Sequence, residues 1–189
     1  CVFNRANPVT MELSREAGTR ARLFDVTDVP HSWETRLKGE HNLENIAAAT
    51  VATRLLSVDE NVIRAAVASF QGERHRLESL GTVSDIEFVN DTTSTTPVSG
   101  MAALNAFKTR EILLIAGGAD KKLDLSDFAK LAAYQAKKIA LLRGTATGSL
   151  HEKLLEFGAE NKITGIFEDL EHATMNLFEQ AEPGQMILL

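Results

Sequence analysis

Ile112-Leu113-Leu114-Ile115-Ala116-Gly117-Gly118 is the stretch that decides the fold. An unbroken apolar run closed by two glycines reads as a strand covered on both faces, because a half-exposed strand would alternate apolar with polar residues. The same rhythm continues downstream. Lys138 to Leu142 (KIALL), Ile163 to Phe167 (ITGIF) and Met186 to Leu189 read as strands, with helices at about Ser126 to Gln135, Ser149 to Phe157 and Asp169 to Gln180 between them. Upstream, Ile86 to Asn90 (IEFVN) reads as a strand. A run of Asp, Thr and Ser then leads to Pro97, which suits the first turn of a helix carrying Met101, Leu104 and Ala106. Five apolar strands alternating with four helices predict an α/β fold with a doubly wound, mostly parallel sheet.

The pattern changes near Gly72. Before it, Ala21 to Thr27 (ARLFDVT) is the clearest β-like piece. Two helices follow, one with Leu43, Ile46, Ala47, Val51 and Leu55 at three- and four-residue spacing, the other with Val62, Ile63, Ala66, Val67 and Phe70 behind Asp59 as N-cap. The short connection from Leu56 to Glu60 makes them an antiparallel hairpin. The chain of 189 residues has 44% hydrophobic residues, enough for one full domain and part of another, and this excludes a disordered or collagen-like polymer. A net charge of -6 argues against a nucleic-acid or anionic-membrane surface, and one cysteine cannot make an internal disulfide. With no signal peptide and no long apolar run, a cytoplasmic location is expected. Cys1 in place of Met and an apolar run that stops at Leu189 read as cut ends, the sequence then being an internal piece of a longer chain.

In open parallel sheets ligands bind beyond the carboxyl ends of the strands. Asn90-Asp91-Thr92-Thr93-Ser94-Thr95-Thr96-Pro97 lies there and combines a carboxylate with five consecutive hydroxyls at a helix start. Such a loop can hold phosphate or carboxylate oxygens, or it can be an ordinary Asp/Ser/Thr cap. Gly117-Gly118-Ala119-Asp120-Lys121-Lys122 lets the backbone approach a ligand and offers a cation behind the turn. It can equally be only a turn, and no Walker loop occurs anywhere in the chain. In Gly39-Glu40-His41-Asn42-Leu43-Glu44-Asn45 the two asparagines share a helix face, able to read a base or ribose edge, with helix capping by Asn42 as the alternative. Gly72-Glu73-Arg74-His75-Arg76 stands at the junction of the two halves, either as a phosphate-binding arginine site or as a solvated linker. His31, His151 and His172 stand apart, and Trp33 reads as packing.

In this order, G-x-H-N-x-x-N on a helix, H-R after a helical pair, N-D-[ST] with a Thr-rich stretch, then a strand and G-G-x-x-K, the segments resemble the Mur ligase family of ATP-dependent amino-acid-adding enzymes. The likeness is greatest to the branch that adds D-glutamate. It is good from Gly39 to Leu189 and rests on position alone for residues 1–38. The resemblance implies that residues 1–71 are the tail of a central ATPase domain, a partial α/β domain, and that residues 72–189 are most of a Rossmann-like C-terminal domain. It implies peptidoglycan synthesis, with its bearing on cell-wall biogenesis, cell shape and cell division. The substrates would be ATP, D-glutamate and UDP-N-acetylmuramoyl-L-alanine, with an acyl phosphate as intermediate and Mg²⁺ as cofactor. Asn42 and Asn45 would contact the adenine side of ATP, Arg76 its phosphates and Asp91 its ribose, while Thr95 and Lys121 would hold the carboxylates of D-glutamate. Domain closure would bring Arg76, Asp91 and Lys121 onto substrates held by the rest of the enzyme.

The sequence departs from the family twice. Thr93 stands where a lysine is common, and Ala119 where an acidic residue often follows the two glycines. Lys122 is the candidate to replace the lost charge, and His75, Thr93 and Lys122 are counted as auxiliary positions. The P-loop, the Mg²⁺ ligands and the modified lysine of the family lie upstream of Cys1, so no catalytic residue and no metal ligand is assigned here, and the 189 residues alone are expected to be inactive. A monomer without nucleic-acid or membrane partners is expected. The competing readings are a related amide ligase of the folylpolyglutamate or cyanophycin type, and a non-catalytic nucleotide-binding module.

Overall fold

Six strands line up as one sheet in the computed structural model, which describes all of residues 1–189. The chain forms two units, Cys1–Gly72 and Glu73–Leu189.

The first unit opens with β1 (Val2–Asn4), α1 (Pro8–Ala17) and β2 (Arg22–Phe24), the two strands pairing in parallel. Asn7 begins α1 by accepting the backbone N–H groups of Val9 and Thr10, Pro8 occupies the first turn, and Gly18 at φ 54° ends it. The strand expected over Ala21–Thr27 is shorter than that. Asp25 turns the chain into a single 3-10 turn, Val26–Asp28, by accepting from Thr27 N–H while Asp28 accepts from Asp25 N–H. The helical hairpin is present as α2 (Glu40–Leu55) and α3 (Glu60–Ser69), with Asp59 capping α3 through Asn61 N–H. Phe24, Val29, Ile46 and Ala47 form the core, with Trp33 packed against it. Val62, Leu55 and Phe70 belong to the apolar repeats yet are exposed, because the buried line runs through Asn42, Ile46, Ala47 and Thr50 on α2 and Ile63 on α3.

The second unit carries β3 (Glu78–Val83), β4 (Ile86–Asn90), α4 (Pro97–Ala106), β5 (Ile112–Gly117), α5 (Ser126–Gln135), β6 (Ala136–Leu142), α6 (Thr147–Glu156), β7 (Ile163–Phe167), α7 (Leu170–Glu179) and β8 (Met186–Leu188). The sheet order is β3-β4-β8-β5-β6-β7, parallel except for β3, which pairs antiparallel with β4. The doubly wound, mostly parallel sheet is therefore as expected, with an extra edge strand. Ser84 and Asp85, at φ 50° and 63°, make the hairpin turn between β3 and β4. Alternate residues of β5 face opposite layers. Ile112 and Leu114 pack against α4, α5 and α6, while Leu113 and Ile115 pack against α7 through Ala173 and Leu177. Both faces are thus covered, which is why the strand is apolar throughout. Lys162 reaches the carbonyl end of α5, donating to Ala133 O at 2.6 Å. Partial burial and then Lys137 hold its ammonium below the usual lysine range.

At the start of α7, Asp169 accepts the His172 backbone N–H and pairs with ring Nδ1 at 2.8 Å. The bond to Asp169 raises the His172 pKa above 6.5, and the bonds from His172 lower Asp169 below 3.8. The raised histidine contributes stability that is fully present below its unfolded pKa and lost as pH rises through the folded one. The lowered carboxylate contributes stability present above its unfolded pKa and lost as pH falls through the folded one. An NMR titration is expected to place His172 above an unpaired histidine, and Asp169→Asn to return it toward the ordinary value. An unchanged midpoint in that variant would refute the pairing.

Candidate functional site

The carboxyl ends of β4, β5 and β8 open into one cavity of about 380 Å³. Its walls are mostly apolar, among them Leu114, Phe128, Leu142, Leu150 and Leu188, and its polar rim comes from two loops. The first loop joins β4 to α4 and brings Asp91, Thr92, Ser94, Thr95 and Thr96 to the rim. The second follows β5 and brings Gly117, Gly118, Ala119, Asp120 and Lys121.

Four of the five consecutive hydroxyls are engaged within the protein. Thr92 donates to Asn90 Oδ1 at 2.8 Å, Thr93 to His75 O at 2.7 Å, Ser94 to Asp91 Oδ2, and Thr96 exchanges with Ser99 in a capping box that starts α4. Thr95 makes no internal side-chain hydrogen bond. It sits exposed at the rim, one residue before the N-cap of α4, where the helix N-terminus favours an anion. Asp91 is only 5% exposed, its Oδ1 accepting from Leu77 N–H at 3.0 Å. Each of its oxygens keeps a free lone pair for a ligand hydroxyl.

The Lys121 loop is fixed by close backbone contacts. A Cβ on Gly117 would lie 2.2 Å from Leu142 O, and one on Gly144 would lie 2.2 Å from Gly118 O. The neighbouring strand end therefore requires the first glycine, whereas a Cβ on Gly118 would meet nothing within 4 Å. Thr145, on the loop after β6, accepts from Asp120 N–H at 2.8 Å, and Ala146 N–H donates to Gly118 O at 3.0 Å. Gly144 and Thr145 have no place in the sequence reading. Their signal was a glycine two residues after the end of a buried strand, at Leu142-Arg143-Gly144. Lys121 has no ion pair, and its side chain makes no hydrogen bond.

Other candidate residues stand elsewhere. Thr93 does not line the cavity, since its hydroxyl is turned to His75. Lys122 is also outside the lining. Its backbone, at φ 57°, donates N–H to Asp120 Oδ1 at 2.7 Å. His75 and Arg76 belong to an exposed segment fastened to the end of β4, not to a solvated linker: Asn90 reaches the His75 ring at 2.9 Å. Asn42 and Asn45 lie on α2 of the first unit. Gly39 is the N-cap of that helix, so Asn42 does not cap it. Asn42 is buried and donates to Lys38 O at 2.7 Å, while Asn45 is exposed with its amide 3.5 Å from Asn42 Oδ1. No group of three or more His, Cys, Asp or Glu is placed to hold a metal ion, and no helix is long and apolar enough to cross a membrane.

Residues 75–189 match the family model described as Mur ligase, glutamate ligase domain. The chain is 41% identical over 156 residues to the UDP-N-acetylmuramoylalanine–D-glutamate ligase of Roseiflexus sp. (strain RS-1), covering 82% of this chain and 33% of that protein. It is 39% identical over 171 residues to the UDP-N-acetylmuramoyl-L-alanine–L-glutamate ligase of Xanthomonas axonopodis pv. citri (strain 306), covering 88% and 35%. It spans about a third of the length of these relatives. Among solved structures, Mycobacterium tuberculosis folylpolyglutamate synthase complexed with ADP and AMPPCP shares the fold. Its TM-score is 0.71 at 16% identity, covering 99% of this chain and 51% of that one.

The two glycines after β5 should differ in their tolerance of a side chain. Gly117→Ala meets the Leu142 backbone and a φ of 149°, whereas Gly118→Ala meets only its φ of 121°. Backbone strain alone costs about 1–3 kcal/mol. Denaturant unfolding is expected to show Gly117→Ala clearly less stable than Gly118→Ala, and equal losses would contradict the close approach of the two strand ends.

Proposed function

The chain belongs to the Mur ligase family, and on that premise we propose that it works within an ATP-dependent amide ligase that adds D-glutamate to UDP-N-acetylmuramoyl-L-alanine. The observation that carries the reading is the pairing, at one cavity, of the unspent Thr95 hydroxyl with the unpaired Lys121 ammonium. Both are donors suited to carboxylate oxygens, and the start of α4 adds its partial positive charge. Asp91 is the proposed ribose contact and Arg76 the phosphate contact. Asn42 and Asn45 are the proposed adenine-side residues, with Asn45 the more accessible. Residues 1–71 are assigned to the end of the central ATPase domain and residues 72–189 to the C-terminal domain. A cytoplasmic monomer is the proposed state of the enzyme.

In the proposed reaction an oxygen of the UDP-N-acetylmuramoyl-L-alanine carboxylate attacks the γ-phosphorus of ATP and ADP leaves. The glutamate amine then attacks the acyl phosphate carbonyl, loses a proton, and phosphate departs as the amide forms. Residues of this chain act by holding the reactants in place and by offering charge to the glutamate carboxylates. No group of three or more His, Cys, Asp or Glu stands among these side chains, so no Mg²⁺ ligand is assigned to them.

L-Glutamate is the second reading, favoured by the 39% identity to the Xanthomonas enzyme named for that enantiomer. The complete gene product is to be assayed for phosphate release with ATP, Mg²⁺, UDP-N-acetylmuramoyl-L-alanine and either enantiomer. Release with D-glutamate is the expected result, release with L-glutamate alone would establish the second reading, and release with neither would reject both. Lys121→Ala is expected to raise the KM for glutamate about ten- to a hundredfold, the worth of a hydrogen bond to a charged group. The KM for ATP should stay near its starting value.

A further inference from the structure

We propose that Thr93 is a positioning residue for Arg76, an inference that rests on the nucleotide-binding reading of Arg76. His75 and Leu77, on either side of Arg76, both adopt positive φ, 62° and 44°. Residues other than glycine hold such a conformation only where their surroundings impose it. The end of β4 supplies that constraint. His75 O belongs to the peptide plane entering Arg76, and it accepts both the Thr93 hydroxyl at 2.7 Å and the Thr93 backbone N–H at 3.1 Å. Leu77 N–H belongs to the plane leaving Arg76, and it donates to Asp91 Oδ1 at 3.0 Å. His75 is anchored further by Asn90 at its ring and by Glu78, which accepts its N–H at 2.7 Å.

Both peptide planes around Arg76 are therefore pinned while its own side chain is exposed and bonded to nothing. The direction of its Cα–Cβ bond is set by two neighbours, one of which, Asp91, also lines the cavity. Thr93 is the half of this clamp that stands outside the cavity, so it acts on a ligand only through Arg76. Thr93 is then no mere absence of a lysine, because its hydroxyl has a task of its own.

The test uses the complete gene product and steady-state kinetics with ATP varied. Thr93→Val keeps the β-branch and the backbone N–H and removes only the hydroxyl. It is expected to raise the KM for ATP by up to about fivefold, the size of one lost hydrogen bond, with kcat nearly unchanged and the thermal midpoint lowered by a few degrees at most. Thr93→Ser should restore the original KM. In an Arg76→Ala background, Thr93→Val should add nothing further, because the group it positions is gone. If Arg76→Ala raises the KM and Thr93→Val leaves it unchanged, the positioning role is refuted while the reading of Arg76 stands. If Arg76→Ala leaves the KM unchanged, that reading falls and the proposal with it. Independent, multiplicative effects of the two substitutions would also overturn it, since they would mark a general structural role for Thr93.

Discussion

A sheet buried on both faces leaves its strand ends as the place where polar groups can meet a ligand. The strands β5 and β8 are apolar along their length because helices cover both sides, so where they are paired their backbone polar groups are spent on the ladder. The free chemistry must then stand in the loops. Parallel strands carry all their carboxyl ends to one edge, which brings Asp91, the hydroxyl loop and Lys121 together although they are far apart in sequence. The insertion of β8 between β4 and β5 parts those two strand ends and opens the cavity between their loops.

Local contacts then hold the loops to the accuracy that a ligand needs. The Lys121 loop is held by the fit of Gly117 against Leu142 and of Gly144 against Gly118, with Thr145 securing Asp120 N–H. The hydroxyl loop is secured by its own side chains, through Asn90, Ser94 and the Thr96–Ser99 box. Sites built in this manner lose little entropy on binding because their donors are already ordered.

Long apolar periods made the second unit legible. Ser126–Gln135 and Ile163–Phe167 lie where the pattern put them, while β6 begins two residues earlier, at Ala136, because Ala136 pairs with Ile112. The strand β3 had no such signal. Most of its residues are exposed, it contains Gly81, and its pairing comes from the otherwise open edge of β4. The helix α1 was punctuated by Asn7-Pro8 and Gly18, but its apolar residues form no buried stripe: Val9 is 67% and Leu13 47% exposed. The site followed the same division. A run of hydroxyls was visible in the sequence, but which hydroxyl stays free depends on partners such as His75 O and Ser99, which only the folded chain brings near. Gly117 likewise signalled a special backbone, and only the position of Leu142 shows that a neighbouring strand end demands it.

Charge refines what the cavity suits. The chain carries -6 overall, and the charged side chains lining the cavity are Asp91, Asp120 and Lys121, two carboxylates against one ammonium. A purely anionic ligand would be poorly served by that balance. The carboxylates, however, already face internal donors, Asp91 taking Leu77 N–H and the Ser94 hydroxyl, Asp120 taking Lys122 N–H. Such bonds reduce their repulsion of an incoming anion without using up every acceptor. An amino acid carries carboxylates that need donors and an amine that needs acceptors. On the proposed reading, a rim with a free hydroxyl, an ammonium and a helix N-terminus supplies the donors, while Asp120 keeps acceptor capacity beside them.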